Sequence, residues 1–277
     1  MSHREFEFSD RHFEIIKNFI ADHAGIALTE AKRDMVYGRL VRRLRATRMA
    51  DFDSYLVHLN DANNPEVVNF VNALTTNLTS FFRENHHFEF LRTQALPELE
   101  RARSGSRKLR LWSAGCSTGE EPYSLAMTVL EYFDNKPGWD ISIMATDLDT
   151  NVVNTARAGI YTMDRVKDLS RDRLKRWFLK GKGSNQTKVK VKAALKQPLH
   201  FMPLNLLQNW PFQEPFDIIF CRNVVIYFNK ETQKGLFERF AEQCAEDGYL
   251  LIGHSESLHR VSDRFKLLGQ TIHSKIY

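Results

Sequence analysis

The sequence predicts an all-α N-terminal domain followed by an α/β domain with a mostly parallel, doubly wound sheet. Three observations carry this. Before residue 108, apolar residues recur only at helical spacing, with no strand-like alternation. After it, short apolar runs alternate with helical patterns, which implies parallel strands with helices on both faces. The first of those runs leads through a small-residue turn into a helix, "LWSAGCSTGEEPYSLA" over 111–126.

In the N-terminal part, "DRHFEIIKNFIADHAG" sets Phe13, Ile16, Phe19 and Ile20 on one helical stripe and closes at Gly25. "TEAKRDMVYGRLVRRLRATR" sets Val36, Leu40 and Leu44 on a stripe widened by Tyr37 and Val41, with Arg39, Arg42 and Arg43 off it. "DFDSYLVHLN" and "PEVVNFVNALTTNLTSFF" continue the pattern, and Pro65 suits a first helical turn. This domain is expected over 1–80 and the α/β domain over 81–277.

In the second part, strands are expected at 108–114, 141–147, 199–205, 216–223 and 249–255. Between them "EEPYSLAMTVLEYF", "NVVNTARAG" and "KETQKGLFERFAEQCAEDG" read as helices. The end, "FKLLGQTIHSKIY", holds two short strands around Gly269, suited to an antiparallel edge hairpin. Residues 168–198 break the alternation: a Gly/Ser/Asn turn at 181–185 precedes "TKVKVK", an exposed strand, so a small inserted β-subdomain is expected.

Composition excludes several classes. Three cysteines, at 116, 221 and 244 with no C-x-x-C pair, argue against a disulfide framework or a zinc ribbon, and no metal-ligand set stands out. No apolar run approaches the roughly 18 residues needed to span a bilayer, and "MSHREFEFSD" lacks the features of a signal peptide. A soluble cytoplasmic protein is expected. The net charge is +5, yet residues 1–80 carry ten Lys/Arg and eleven Asp/Glu. Residues 32–48 hold seven Lys/Arg against Asp34, a local basic block in a near-neutral domain.

The glycine turn has the outline of a phosphate cradle, but Gly119 is followed by Glu120 and Glu121 where a nucleotide site would place a cation. In a doubly wound sheet the ligand sits beyond the carboxyl ends of the strands, and small residues there let it approach the backbone. The next strand ends in "ATDLD", and Asp147, 28 positions past Gly119, suits a pair of ribose hydroxyls. Two carboxylates at the helix start would repel a pyrophosphate. S-adenosylmethionine (SAM) brings an adenosine without phosphate, an ammonium and a sulfonium, and for these Glu121 is an asset. Both glutamates could instead simply begin a helix, where anions are favoured. Asn205 and Asn223 follow the next two strands and can face adenine or the polar tail, although Asn is also a common turn residue.

These residues sit in a set of stretches that closely resembles the CheR family, the chemoreceptor glutamate O-methyltransferases of bacteria. The stretches are "ALTTNLTSFFRE", "SAGCSTGEEPYSLA", "ATDLD", "NLL", "FCRNVVIYF" and "GHSES", in order, and the likeness runs from about residue 10 to the end. The resemblance implies a Rossmann-like SAM-dependent methyltransferase domain behind the helical domain. It implies cofactor contacts at Asn77, Thr79, Arg83, Glu121, Asp147, Asn205, Leu206, Asn223 and Val224, with S-adenosylhomocysteine as the product. Arg83 and Tyr227 are then expected to hold the acceptor carboxylate, by a bidentate guanidinium and a phenol donor. A glutamate acceptor is ionised at neutral pH, so no general base is needed, and none follows Asn223 in "NVVIYF". His254, Cys116 and Cys221 are read as structural.

The implied partner is the cytoplasmic helical region of methyl-accepting chemoreceptors. Arg39, Arg42 and Arg43 are candidates to dock on it by charge complementarity, a solvated face being the plain alternative. Some family members capture a C-terminal pentapeptide tether on the β-subdomain; here only the Gly-x-Gly turn and the alternating strand are present. A monomer that neither binds nucleic acid nor inserts in membrane is expected. A nucleic-acid methylator would show (D/N)-P-P-(Y/F) where this chain has Asn223 followed by Val224 and Val225. A non-catalytic SAM sensor is opposed by the intact Arg83, Glu121, Asp147, Asn223 and Tyr227.

Overall fold

The computed structural model describes residues 4–61 and 64–276. The chain divides into two compact units, one of residues up to Thr76 with Tyr227–Asn229, the other Asn77–Ile226 with Lys230–Tyr277.

The first unit is helical, with α1 (Asp10–Ala24), α2 (Arg33–Thr47), α3 (Phe52–Leu59) and α4 (Glu66–Leu74). Ser9 caps α1 by accepting from the His12 N–H, and Gly25 closes it at φ 68°. The predicted stripes face inward: Phe13, Ile16, Ile20, Val36, Leu40 and Leu44 are all fully buried. Burying them removes apolar surface worth roughly 1.5–3 kcal/mol per side chain.

The basic face of α2 departs from expectation. Arg39 donates to the Ala73 and Thr75 carbonyls at 3.3 and 2.6 Å and to Thr76 Oγ1, satisfying the open carbonyl end of α4. Arg43 forms a two-pronged ion pair with Glu66 at 2.8 and 2.6 Å, and the Tyr55 hydroxyl donates to the same carboxylate at 2.8 Å. Both guanidinia are thus engaged within the helical unit, because a guanidinium off the apolar stripe still reaches the neighbouring helix. Arg42 alone of the three is exposed without a partner among the described residues.

The second unit holds α5 (His86–Phe90), α6 (Leu96–Ala102), β1 (Lys108–Ala114), α7 (Glu120–Tyr132), β2 (Asp140–Asp147), α8 (Thr150–Ala158) and β3 (Ile160–Thr162). After these come α9 (Arg171–Trp177), β4 (Phe178–Lys180), β5 (Lys188–Val191), α10 (Ala193–Lys196), β6 (Leu199–Pro203) and β7 (Phe216–Cys221). The chain closes with α11 (Lys230–Gln243), β8 (Cys244–Ile252), β9 (Phe265–Gly269) and β10 (Ile272–Lys275). Seven strands form one sheet in the order β6-β2-β1-β7-β8-β10-β9. Only β10 runs antiparallel to its neighbours, so the expected terminal hairpin is present with β9 at the edge. Leu109 and Leu111 of β1 pack in the core that includes Leu125 and Val129 of α7, while Trp112 meets Phe240 of α11. The sheet thus has helices on both faces.

A second sheet, β3-β5-β4, forms the small subdomain. It starts at Ile160, ahead of the expected 168–198, because a strand of three residues is too short to show a period. The alternating "TKVKVK" supplies the central strand, with Val189 and Val191 buried and Lys188 and Lys190 exposed, rather than a free edge.

Arg43→Ala is expected to destabilise the helical unit by about 2–3 kcal/mol, because it leaves the buried Glu66 carboxylate without its counter-charge. Arg42→Ala should leave the unfolding midpoint unchanged. Urea unfolding followed by circular dichroism checks both.

Candidate functional site

The parallel strands β1, β2, β6 and β7 bring their carboxyl ends to one side of the sheet, and most predicted site residues lie there. A cleft lined by Arg103, Pro215, Asp247 and Lys275 lies at the opposite, amino end of β7 and β8.

Three clusters build the crevice. In the first, Asp147 ends β2 and accepts from the backbone N–H groups of Ser117 (2.8 Å) and Asp149 (2.9 Å). Asn77 Nδ2 donates to Asp149 at 2.7 Å, and the Asn77 carbonyl accepts from Ser117 Oγ at 2.8 Å. Leu204 N–H donates to the Asp147 carbonyl at 2.8 Å, which sets Asn205 and the buried Leu206 beside this strand end. Burial lifts the Asp147 carboxyl to about 6, the Asp149 and Ser117 N–H groups pulling the other way.

In the second cluster, Glu121 begins α7 and is buried. It accepts from Ser113 Oγ at 2.7 Å and from Arg222 Nη1 at 3.1 Å. Burial pushes its carboxyl up, with Arg222 and Ser113 opposing. Arg222, also buried, donates to the Arg83 carbonyl at 2.5 Å and lies 3.3 Å from Glu84 Oε2. Arg83 is flanked by two left-handed residues, Phe82 (φ 52°) and Glu84 (φ 54°), and its Nη1 donates to the Leu78 carbonyl at 2.9 Å. Thr79 is half-buried in the same turn. Glu120 is turned elsewhere: it pairs with Arg165 and accepts from Thr118 Oγ1 at 2.6 Å.

The third cluster is the turn after β7. Asn223 sits at φ 58°, and Glu256 gathers this turn by accepting from the N–H groups of Asn223, Val224, Val225 and Ile226 at 2.9, 2.8, 2.9 and 3.4 Å. It also accepts from Gly253 N–H at 2.5 Å. His254 is exposed and bonds Glu84 at 2.8 Å through Nδ1, a loop-to-loop contact as expected. Cys116 and Cys221 are fully buried, and burial pushes both thiols well above their ordinary range, which suits packing rather than nucleophilic work.

One expectation changes. Gly115 (φ 104°) and Gly119 (φ 100°) are required by protein contacts rather than by room for a ligand. A Cβ on Gly115 would lie 2.3 Å from Val224 Cγ2, and one on Gly119 would lie 2.7 Å from the Tyr161 hydroxyl. Tyr227 groups with the helical unit, where its carbonyl accepts from Ala27 N–H at 2.8 Å and Lys32 Nζ lies 5.2 Å from its ring centroid. Glu256, Arg222 and Glu84 were missed. An arginine closing the apolar run "IIFC" was a usable signal; Glu256 in "GHSES" carried none, because a loop glutamate is exposed by default.

The sheet order, the antiparallel penultimate position and the carboxylates at the strand ends accord with a Rossmann-like, SAM-dependent methyltransferase. The chain belongs to the CheR family: residues 77–274 match the CheR methyltransferase SAM-binding domain, and residues 11–75 match the CheR methyltransferase all-alpha domain. It is 46% identical over 269 residues to the chemotaxis protein methyltransferase of Escherichia coli K12, covering 96% of this chain and 91% of that one. It is 42% identical over 272 residues to chemotaxis protein methyltransferase 2 of Pseudomonas aeruginosa, covering 98% and 95%.

The carboxylate set fits SAM: Asp147 and Glu121 suit hydroxyl and cationic groups and would oppose a phosphate. The resemblance implies that ribose hydroxyls would donate to the ionised form of Asp147, whose carboxyl burial lifts to about 6. SAM affinity is therefore expected to be level above about pH 7 and to fall by up to tenfold per unit below about pH 6. Asp147→Asn should flatten that profile and weaken binding at neutral pH. Calorimetric titration across the range checks this.

Proposed function

We propose that this protein transfers methyl groups from SAM to glutamate side chains of bacterial chemoreceptors, working in the cytoplasm as a monomer. The observation that carries the reading is the pairing of a buried helix-start carboxylate, Glu121, with a strand-end carboxylate, Asp147, in a chain of this family. When bound, SAM supplies a methyl group on a cationic sulfur. Asp147 accepts the ribose hydroxyls, and Glu121 faces the amino end, held in place by Ser113 and Arg222. Asn77, Thr79, Asn205, Leu206, Asn223 and Val224 line the remainder.

The acceptor glutamate is ionised at neutral pH, its ordinary pKa being about 4.3. The protein's work is to align it and exclude water. Arg83, fixed by the turn at 82–84, orients that carboxylate, and Tyr227 adds a hydroxyl donor. No Asp, Glu or His follows Asn223 before the helix Lys230–Gln243, in keeping with a reaction that needs no base.

Among the described residues no helix is long and apolar enough to cross a membrane. Docking falls to Arg42 within the basic block, since Arg39 and Arg43 have internal partners. Tether capture by strand addition would use β3 or β4, the outer strands of the small sheet, where Ile160 and Leu179 are exposed.

Two outcomes are expected. Tritiated methyl groups transferred to receptor-containing membranes will be released by alkali as volatile methanol, and Arg83→Ala will lower kcat/KM by about 100-fold; label that survives alkali would point to nitrogen and refute the ester. Arg42→Glu will raise KM for receptor several-fold with SAM affinity unchanged, and equal loss of SAM binding in calorimetry would count against docking.

A further inference from the structure

Residues 84–87 run from the left-handed turn at Arg83 into the start of α5, and two buried acceptors without a hydrogen bond meet there. Among the described residues, the buried side-chain polar atoms lacking a hydrogen bond are Glu84 Oε2, His87 Nδ1, Arg222 Nε and His273 Nδ1. Two of these, Glu84 Oε2 and His87 Nδ1, lie 3.7 Å apart.

The tautomer of His87 follows from its surroundings. Nε2 lies 3.2 Å from the Gln270 carbonyl oxygen and 3.1 Å from Thr271 Oγ1. A carbonyl only accepts, so Nε2 carries the proton and Nδ1 presents a lone pair. That lone pair and Glu84 Oε2 therefore face each other 3.7 Å apart as two acceptors without a hydrogen bond, with Arg222 Nη2 ion-paired to Oε2 at 3.3 Å. His86 stacks beside His87, with ring centroids 4.1 Å apart, and its Nε2 lies 3.1 Å from the same carbonyl. One atom each from Glu84, His86 and His87 lie within 4.8 Å of one another.

We infer that Glu84, His86 and His87 form a two-histidine, one-carboxylate site for a divalent cation of the zinc class. Tetrahedral bonds of about 2.0–2.2 Å place ligand atoms about 3.4 Å apart, close to the 3.7 Å between Glu84 Oε2 and His87 Nδ1, and His86 would close in from within 4.8 Å. A mixed nitrogen and oxygen set suits zinc better than magnesium or calcium, which favour oxygen alone. Both ligands of the close pair are already oriented from behind, as metal ligands usually are. His87 is held by the Gln270 carbonyl, and Glu84 Oε1 by His254 at 2.8 Å. Half-buried His86 leaves an approach for the ion.

The site is joined to the crevice through Arg222, which lies 3.3 Å from Glu84 Oε2 and bonds Glu121. A dication on Glu84 leaves more of the guanidinium's charge for Glu121. Resting on the reading of Glu121 as the seat of the amino end, zinc then weakens SAM, and SAM weakens zinc by the same factor.

Calorimetric titration of the full chain with zinc alone is expected to show one saturable site per chain. His86→Ala and Glu84→Gln should each weaken it at least about tenfold, and exposed His58→Ala should leave it unchanged. Cobalt(II) should give an intense tetrahedral visible spectrum that His86→Ala removes; circular dichroism confirms that each variant folds. No saturable binding, equal affinity in the variants, or an octahedral cobalt spectrum would overturn the site. SAM affinity unchanged at saturating zinc would overturn the coupling. A chain that binds zinc but no SAM under any condition would refute the proposed function and leave the metal site standing.

Discussion

The methyltransferase unit is organised around one buried cation. Strand β7 is buried along its length, apolar but for Asp217, and ends against Arg222, whose guanidinium is withdrawn from solvent. Burying a charge is costly unless it is matched, and here the match comes from Glu121, Glu84 and the Arg83 carbonyl. Those partners lie on the start of α7 and on the turn at 82–84. Ionic pairing thus sets the helix that carries Glu121 and the loop that carries Arg83 in register with the sheet.

The next residues along the chain show the opposite arrangement. Glu256 is a buried anion matched by backbone dipoles, five N–H groups converging on one carboxylate. Without those bonds, Asn223 would have little reason to hold a left-handed conformation that favours glycine. Phe82, Glu84, Ser117 and Asn223 are all left-handed non-glycine residues, and all lie at the crevice. Strain of this kind persists where surrounding bonds over-determine it, and it concentrates at functional sites.

Much of this was legible in residue order. The burial of Phe13, Ile16 and Ile20, and of Val36, Leu40 and Leu44, follows from a period of 3.6, and the five parallel strands follow from short apolar runs between helical ones. Asp147 could be placed at a strand end because a carboxylate abruptly closes an apolar run. Ile160–Thr162 could not be found as a strand, since three residues hold no period and its partner, β5, lies far along the chain.

Sequence alone determined which residues would be inside, the alternation of helices and strands, and an acidic rather than phosphate-binding turn, because local periodicity and residue chemistry are readable without neighbours. Tertiary structure decided the partners. Arg39 and Arg43 look like surface charges until α4 is packed beside α2. Gly115 looks like space for a ligand until Val224 fills it. Glu256 looks like a loop residue until four consecutive amides turn toward it. A long side chain or a bare amide pairs with whatever the fold brings within about 3 Å, and that neighbour is separated from it by tens of residues of chain.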